Sequence, residues 1–414
     1  MSDNDRQFNG TMSAMFLPTS SRCQTLWRAM GLAIGTLLFV GCNTDGDDDA
    51  YQCIPCDAPW IYDGDLDVSP QTPVETLHCL AEVSGTLRIT GFESSFPEEL
   101  HSLRNVGRLF MIENGVSSLK DFRCLESVES LDLTNNAGLR DVSALADVVI
   151  GSELTLASNP GLVDASPIRM GSKDGALYIR IEFNDALVYL PTPVAGATVS
   201  RLTITSNRSL RVLDGLENLR FVPGGDIWIA SNRNLLSLAG IKDTFLGLNE
   251  SSESLDGVTI EGLTNLESLA GMEKLHRASY LYVGNLPLVM DLSGLAGLSN
   301  VETLVFANLP NVADFGGLGK DLEVGVLSIG SCYSAMGNLT GMVAANGIAS
   351  VGTLQLLHNP NFTSFDDFSP AGPLSITAIR NPSLQASTVA AFAEQQGTEE
   401  TCVYPPNQTC TCIE

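Results

Sequence analysis

The chain is short of positive charge. Its 414 residues hold 22 Lys+Arg against 48 Asp+Glu, a formal net charge of −26. That deficit excludes nucleic acid and anionic lipid headgroups as principal partners, because both recruit Lys and Arg. Charge of either sign is sparse, at 17% of residues, while 44% are hydrophobic. The acidity is therefore not that of a long disordered tail. Aromatics reach only 7%, and Asn, Ser, Gly and Leu dominate the middle of the chain. Cysteine is missing between Cys124 and Cys332; the ten cysteines cluster toward the two ends. That distribution suggests an exported protein with stapled termini. No apolar run is long enough to cross a bilayer as a stable helix. The length allows two or three domains, or one repetitive array.

Catalytic signatures are also missing. The four histidines, His78, His101, His276 and His358, form no H-E-x-x-H and fall far apart, as solvated loop residues would. There is no G-x-S-x-G and no phosphate-binding loop; GGLGKD at 316–321 lacks the hydroxyl residue such a loop needs. Asp63, Asp65 and Asp67 make a DxDxD phrase without the glycine and distal glutamate of a calcium loop, and read as solvated linker. Carboxylates such as Asp132, Asp141 and Asp164 fall at differing places in the chain's repeat, so no acid–base pair is visible. The expectation is a non-enzyme with no cofactor and no metal.

What is present begins at residues 30–40, MGLAIGTLLFV, preceded by Arg22 and Arg28 and followed by Gly41-Cys42. A basic segment, a short apolar run and a small residue describe a secretory signal. The segment FVGC (Phe39 to Cys42) resembles a bacterial lipobox, with Phe39 where that family has Leu. The resemblance implies cleavage before Cys42 and acylation of that residue. Two or three acyl chains anchor stably where one does not. NTDGDDDA follows as a polar, acidic tether, and Asn43 directly after the cysteine favours the outer membrane. Only two of the acidic residues, Asp3 and Asp5, precede Cys42, so the acidity belongs to the exported part.

The middle of the chain repeats at about 23 residues. Copies include ESLDLTNNAGLRDVSALADV, SRLTITSNRSLRVLDGLENL and GDIWIASNRNLLSLAGI. The first inward strand position reads as Leu87, Leu109, Leu131, Leu154, Leu177, Leu202, Ile227, Val258, Leu281, Leu304, Leu327, Leu354 and Leu374, thirteen coils in all. An apolar pair one residue apart, such as Leu131 and Leu133, is a short strand with one face inward. Such strands are stable only when stacked, so the coils predict one long parallel sheet. Leu210, Leu213, Leu216 and Leu219 line the remaining walls of their coil. Burial of about six large side chains per coil, at roughly 1.5–3 kcal/mol each, offsets the ordering entropy. Asn136, Asn159, Asn207, Asn232 and Asn359 turn the chain off the strand and read as structural. At about 4.8 Å per rung, thirteen coils make a rod of about 60 Å.

The spacing Asn-x-x-Leu (Asn136 to Leu139, Asn159 to Leu162, Asn207 to Leu210, Asn232 to Leu235), with the phrases NPGL and NPNF, resembles the receptor L domain of the insulin and epidermal growth factor receptors. The resemblance implies a right-handed β-solenoid related to leucine-rich repeats; the other reading is a plain leucine-rich-repeat horseshoe. It covers residues ~77–390 and is nearly silent on ligand. The expected organisation is signal 1–41, tether and cysteine-containing cap 42–76, solenoid 77–390 with a candidate joint near 242–257, and cysteine-rich cap 391–414. LQASTVAAFAEQQG reads as a short capping helix with Leu384, Val389 and Phe392 inward, ending at Gly397.

Eight cysteines remain beyond Cys42: Cys53, Cys56, Cys79 and Cys124 toward one end, and Cys332, Cys402, Cys410 and Cys412 toward the other. Each set allows two disulfides in three connectivities. Cys79 and Cys124 fall two coils apart, about 9–10 Å, too far for a bond. Cys79 is thus expected to pair with Cys53 or Cys56. Cys53-x-x-Cys56 as a zinc or redox site lacks a second such pair.

The residue between two inward positions points outward. That row contains Tyr178, Trp228 and Tyr282 on alternate coils, with Arg180, Arg201 and Tyr280 at neighbouring outward positions. Aromatics and arginines on a regular face suit ligand contact, on protein or on sugar rings; β propensity explains the same residues equally well. The reading is a lipid-anchored envelope protein presenting a recognition or adhesion face to an extracellular protein or glycan. The alternatives are a structural spacer and a parallel β-helix polysaccharide-degrading enzyme.

Overall fold

The structure is a computed structural model that describes residues 53, 56–172, 175–249, 252–331, 336–372, 374–398 and 401–404. The signal segment, Cys42, Cys332, Cys410 and Cys412 lie outside the described residues. The described chain is mainly β. Eighteen strands form one sheet, and its ladders are parallel throughout. Among the described residues there is a single α-helix, Ala386–Gln396.

Each strand carries its apolar pair inward. The ladder joins Leu87, Leu109, Leu131 and Leu154 in register, then Ile179, Leu202, Ile227, Val258 and Leu281. It continues through Leu304, Leu327 and Leu354 to Ile376. None of these thirteen side chains is more than 1% exposed. Two expected positions are corrected. Leu177 and Leu374 are buried, but the register residues are Ile179 and Ile376. A two-residue shift preserves the inward face, because the side-chain period of a strand is two, so the apolar pattern alone does not detect it. The ladder also gains a rung at each end, with Leu66 beside Leu87 and Thr401 beside Ile376. The Asp63–Asp67 phrase therefore belongs to a strand edge rather than a free linker. Asp63 accepts from Ser84 Oγ at 2.9 Å, and Asp65 from the Thr86 amide at 2.7 Å.

The long step after Ile227 is not a break. Asp226 through Ala230 pair in unbroken register with Gly257 through Glu261. The extra residues include a 3-10 turn, Thr244–Gly247, that brings Phe245 to stack on Phe221 at 6.0 Å.

A column of buried asparagines runs along the core. The backbone N–H of Asn114 donates to Asn136 Oδ1, that of Asn136 to Asn159, and so on through Asn184 and Asn207 to Asn232, at 2.9–3.1 Å. Each side-chain amide donates in turn to a strand carbonyl of the preceding coil, as Asn159 does to Leu133 at 2.7 Å. The same column continues as Leu263, Leu286 and Leu309, all fully buried, then returns to Asn359 and Asn381. Burial of an amide is tolerated only when its donors and acceptor are used, and here they are.

The residue before each asparagine takes a left-handed backbone. Glu113, Asn135, Ser158, Phe183, Ser206 and Ser231 all have φ of 56–59°. Of these six only Asn135 is of a residue type enriched in that region. The conformation is held because each corner amide donates to the next coil, as Phe183 does to Thr205 O at 3.1 Å.

The ends are closed by covalent and aromatic contacts. Cys53 bonds Cys124 and Cys56 bonds Cys79, with Cα separations of 5.6 and 5.5 Å. The helix Ala386–Gln396 lays Phe392 on Phe365 at 4.2 Å, and Gly397 (φ 65°) terminates it. The sheet then resumes at Thr401–Tyr404, so the helix is the back wall of a coil rather than the last layer. Among the described residues Cys402 has no sulfur partner, and the cysteines expected to pair with it, Cys332, Cys410 and Cys412, lie outside the described residues. The register partner of Cys402 on the neighbouring strand is Thr377, which offers no sulfur.

Candidate ligand-binding face

Five consecutive rungs bring the six candidate residues to one face of the sheet. The strand Leu177–Glu182 carries Tyr178 and Arg180. Thr198–Thr205 carries Arg201, and Arg220–Ala230 carries Trp228. Leu255–Glu261 contributes the small residues Gly257 and Thr259 and, at its end, Glu261. Arg277–Gly284 carries Tyr280 and Tyr282.

The register sorts them into two rows. One row reads Tyr178, Arg201, Asp226, Gly257, Tyr280. The other reads Arg180, Thr203, Trp228, Thr259, Tyr282. This corrects the expected single row of Tyr178, Trp228 and Tyr282: Tyr178 lies one row over, for the same two-residue reason that moved Leu177. Trp228 and Tyr282 do share a row, two rungs or about 9–10 Å apart.

Both arginines on the face are matched by carboxylates, and the Glu261 carboxylate accepts from the Asn285 amide at 2.8 Å. Arg180 Nε donates to Glu182 Oε2 at 2.6 Å. Arg201 donates through Nη2 and Nε to Asp226 Oδ2 at 2.7 and 3.1 Å. The Arg201 guanidinium also lies over the Tyr178 ring, 5.6 Å from its centre, a favourable cation–π placement. The bond from Glu182 holds the Arg180 pKa above its usual value, and the bond from Asp226, then the Tyr178 hydroxyl, does so for Arg201. Asp226 was not visible as a site residue in the sequence, because its role depends on lateral register; Glu182, two residues from Arg180 on the same strand, was legible from the period of two.

The aromatics differ in posture. Trp228 is 50% and Tyr280 40% exposed. Tyr282 is half-buried, with its ring lying over Gly284; a Cβ at Gly284 would stand 2.6 Å from Tyr282 Cε1. Burial first, and the Glu261 carboxylate second, push the Tyr282 hydroxyl up to about 12 and raise that of Tyr280 in the same direction. Tyr282 therefore stays a neutral phenol. Gly257 keeps the floor low, since a Cβ there would come within 2.9 Å of Asp226 Oδ1. The result is an open depression of about 400 Å³, lined by Tyr178, Arg180, Arg201, Asp226, Trp228 and Thr259 among others.

A larger depression of about 830 Å³ runs along the bend that bulges put into the strands, over Ser84, Gly107, Gly151, Ser152 and Val194. No aromatic or arginine lines it. Cys56, His78 and Cys79 converge within 4.8 Å, but both sulfurs are consumed in the disulfide, so they are not thiolate ligands. Two histidines expected as solvated loop residues are instead tied to neighbouring coils. His101 Nε2 bonds Asp121 Oδ1 and His276 Nδ1 bonds Gly297 O, each at 2.8 Å.

No family model and no curated protein matches the chain. Among solved structures, the chain is similar to an internalin from Listeria monocytogenes, at 15% identity over 82% of this chain and 86% of that one, with a TM-score of 0.37. At that score the likeness bears on neither ligand nor location. What the register defines by itself is a leucine-rich parallel-sheet solenoid whose outer face carries aromatics and carboxylate-paired arginines.

Proposed function

We propose that the chain is a cell-envelope lipoprotein whose solenoid presents a recognition or adhesion face and performs no catalysis. The observation that carries this reading is the convergence of Tyr178, Arg201 and Trp228 around one open depression whose arginines are held by carboxylates. Rigid strands fix these side chains before any ligand arrives, which lowers the ordering cost of binding. The anchor is supported by the sequence alone: Arg22 and Arg28, the apolar run, FVGC and the acidic segment after Cys42. With an acylated Cys42, the tether would hold the solenoid beside the outer membrane.

Two experiments test the two halves. Mass spectrometry of the N-terminal peptide from membrane-extracted protein should find an acylated Cys42; an unmodified chain still carrying residues 1–41 would contradict the anchor. An array of glycans, peptidoglycan fragments and matrix proteins, probed with the full chain and with Trp228→Ala, should show retained spots that the variant loses. Identical patterns would contradict the face.

A further inference from the structure

We infer that the strip between Trp228 and Tyr282 takes a neutral, linear oligosaccharide of equatorially linked pyranose rings; this deepens the recognition reading and rests on it.

Charge narrows the class first. Arg180 is bonded to Glu182, and Arg201 to Asp226. A phosphate, sulfate or uronate would meet guanidinium charge already neutralised by a carboxylate and would be set beside that carboxylate, and a basic group would find Glu182 and Asp226 already neutralised by arginine. A ligand with no charge meets neither cost. It still finds polar partners. A guanidinium has five N–H donors and a carboxylate about four lone-pair sites, so each ion pair leaves both kinds of group free. Vicinal hydroxyls, which donate and accept, match such a pair.

Stacking narrows it further. The axial C–H groups of a pyranose ring meet the negative face of an aromatic ring favourably. Trp228 offers a half-exposed indole. Tyr282 lies over Gly284, so its other ring face is turned outward, and its hydroxyl stays protonated as a donor. Thr259 alone stands between them in the row. Two rungs, about 9–10 Å, is close to the length of an extended disaccharide unit. Rings one and three of a straight chain can therefore rest on Trp228 and Tyr282, with the middle ring over Thr259 and Gly257.

Extent decides against a folded protein partner. A stable protein interface buries about 800 Å² on each side around a packed hydrophobic centre. Here the aromatics stop on one side with the Leu281 rung, where the row continues as Val305, Ser328 and Gln355; on the other side Thr203, Arg180, Thr155 and Asp132 separate Trp228 from the next aromatic, Phe110. A narrow strip open at both ends suits a chain that runs along the sheet.

The test is titration calorimetry of the full chain with cellohexaose and chitohexaose, beside maltohexaose (a curved neutral chain) and polygalacturonate (a straight anionic one). One of the first two should bind, without loss on adding salt, because no net charge is involved. Trp228→Ala and Tyr282→Ala should each weaken it at least about tenfold while keeping the wild-type unfolding midpoint. Binding that is unchanged in both variants, or confined to polygalacturonate or maltohexaose, overturns the inference. If no neutral hexasaccharide binds but arrayed proteins are retained in a Trp228-dependent way, the glycan inference fails and the recognition reading stands. If nothing arrayed depends on Trp228, both fail.

Discussion

Asn207 Oδ1 accepts the backbone N–H of Asn184, one coil earlier, at 3.1 Å, while its own amide group donates to Ile181 O at 2.9 Å. One side chain thus satisfies two buried backbone groups of another coil. Substitution Asn207→Ala would leave both without partners in a dry core. Each such group costs about 1–3 kcal/mol, so the variant should lose about 2–6 kcal/mol in urea unfolding. Asn207→Leu should also destabilise, even though Leu occupies this column at Leu263, Leu286 and Leu309. Within that stretch Leu286 has Leu on both sides, whereas Asn207 stands between Asn184 and Asn232, and the Asn184 N–H needs its acceptor.

That column also shows what the sequence revealed and what it hid. The repeat, the parallel sheet and the outward face are legible in apolar spacing. The lateral register is not, because a strand shifted by two residues buries the same face, and so Leu177 stood in for Ile179 and Tyr178 joined the wrong row. Asn114 and Asn184 extend the column from the phrases ENGV and FNDA; Asn114 lacks the Leu three residues on, whereas Asn184 has it in Leu187. Asp226 became a site residue only when the register set it against Arg201, whereas Glu182 follows Arg180 by two on the same strand.

Phe183 holds φ at 56° with its ring 56% exposed. A left-handed backbone costs a non-glycine residue about 1–2 kcal/mol, and Asn adopts it more readily. Phe183→Asn should therefore raise stability by about 0.5–1 kcal/mol, read as a higher urea midpoint with an unchanged slope. A fall in the midpoint would mean that the exposed ring makes a contact that matters.

The two N-terminal disulfides close loops of different size, with sequence separations of 71 for Cys53–Cys124 and 23 for Cys56–Cys79. On chain entropy alone the longer loop is worth about 4 kcal/mol and the shorter about 3. Cys124→Ser should accordingly destabilise more than Cys79→Ser in thermal unfolding. Equal losses would indicate strain or residual structure outweighing loop entropy.

Asp132 carries a carboxyl whose pKa is raised, chiefly by desolvation, against the bond from Thr134 and the attraction of Arg180. The sign follows directly. The folded state holds its proton to higher pH than the unfolded chain, so stability is lost as pH rises from the ordinary carboxylate value of 3.8 through the higher folded one. Asp132→Asn should stabilise the protein at pH 7, with the gain vanishing below about pH 4. Asp141 and Asp291 run the other way. Hydrogen bonds from Ser143 and Ser118 overcome the desolvation of Asp141, and those from Ser293 hold Asp291 low. Both contribute stability that is present above 3.8 and lost below it.

The central claim is that ligand meets the chain on the Trp228 row. The most direct test is one array probed with three proteins: the full chain, a Trp228→Ala/Tyr282→Ala double variant, and Met290→Ala as a control at a side chain 70% exposed outside the candidate site. The full chain and the Met290→Ala control should retain the same spots, and the double variant should lose them at an unchanged unfolding midpoint. Retention by all three alike, or loss with Met290→Ala, would contradict the account.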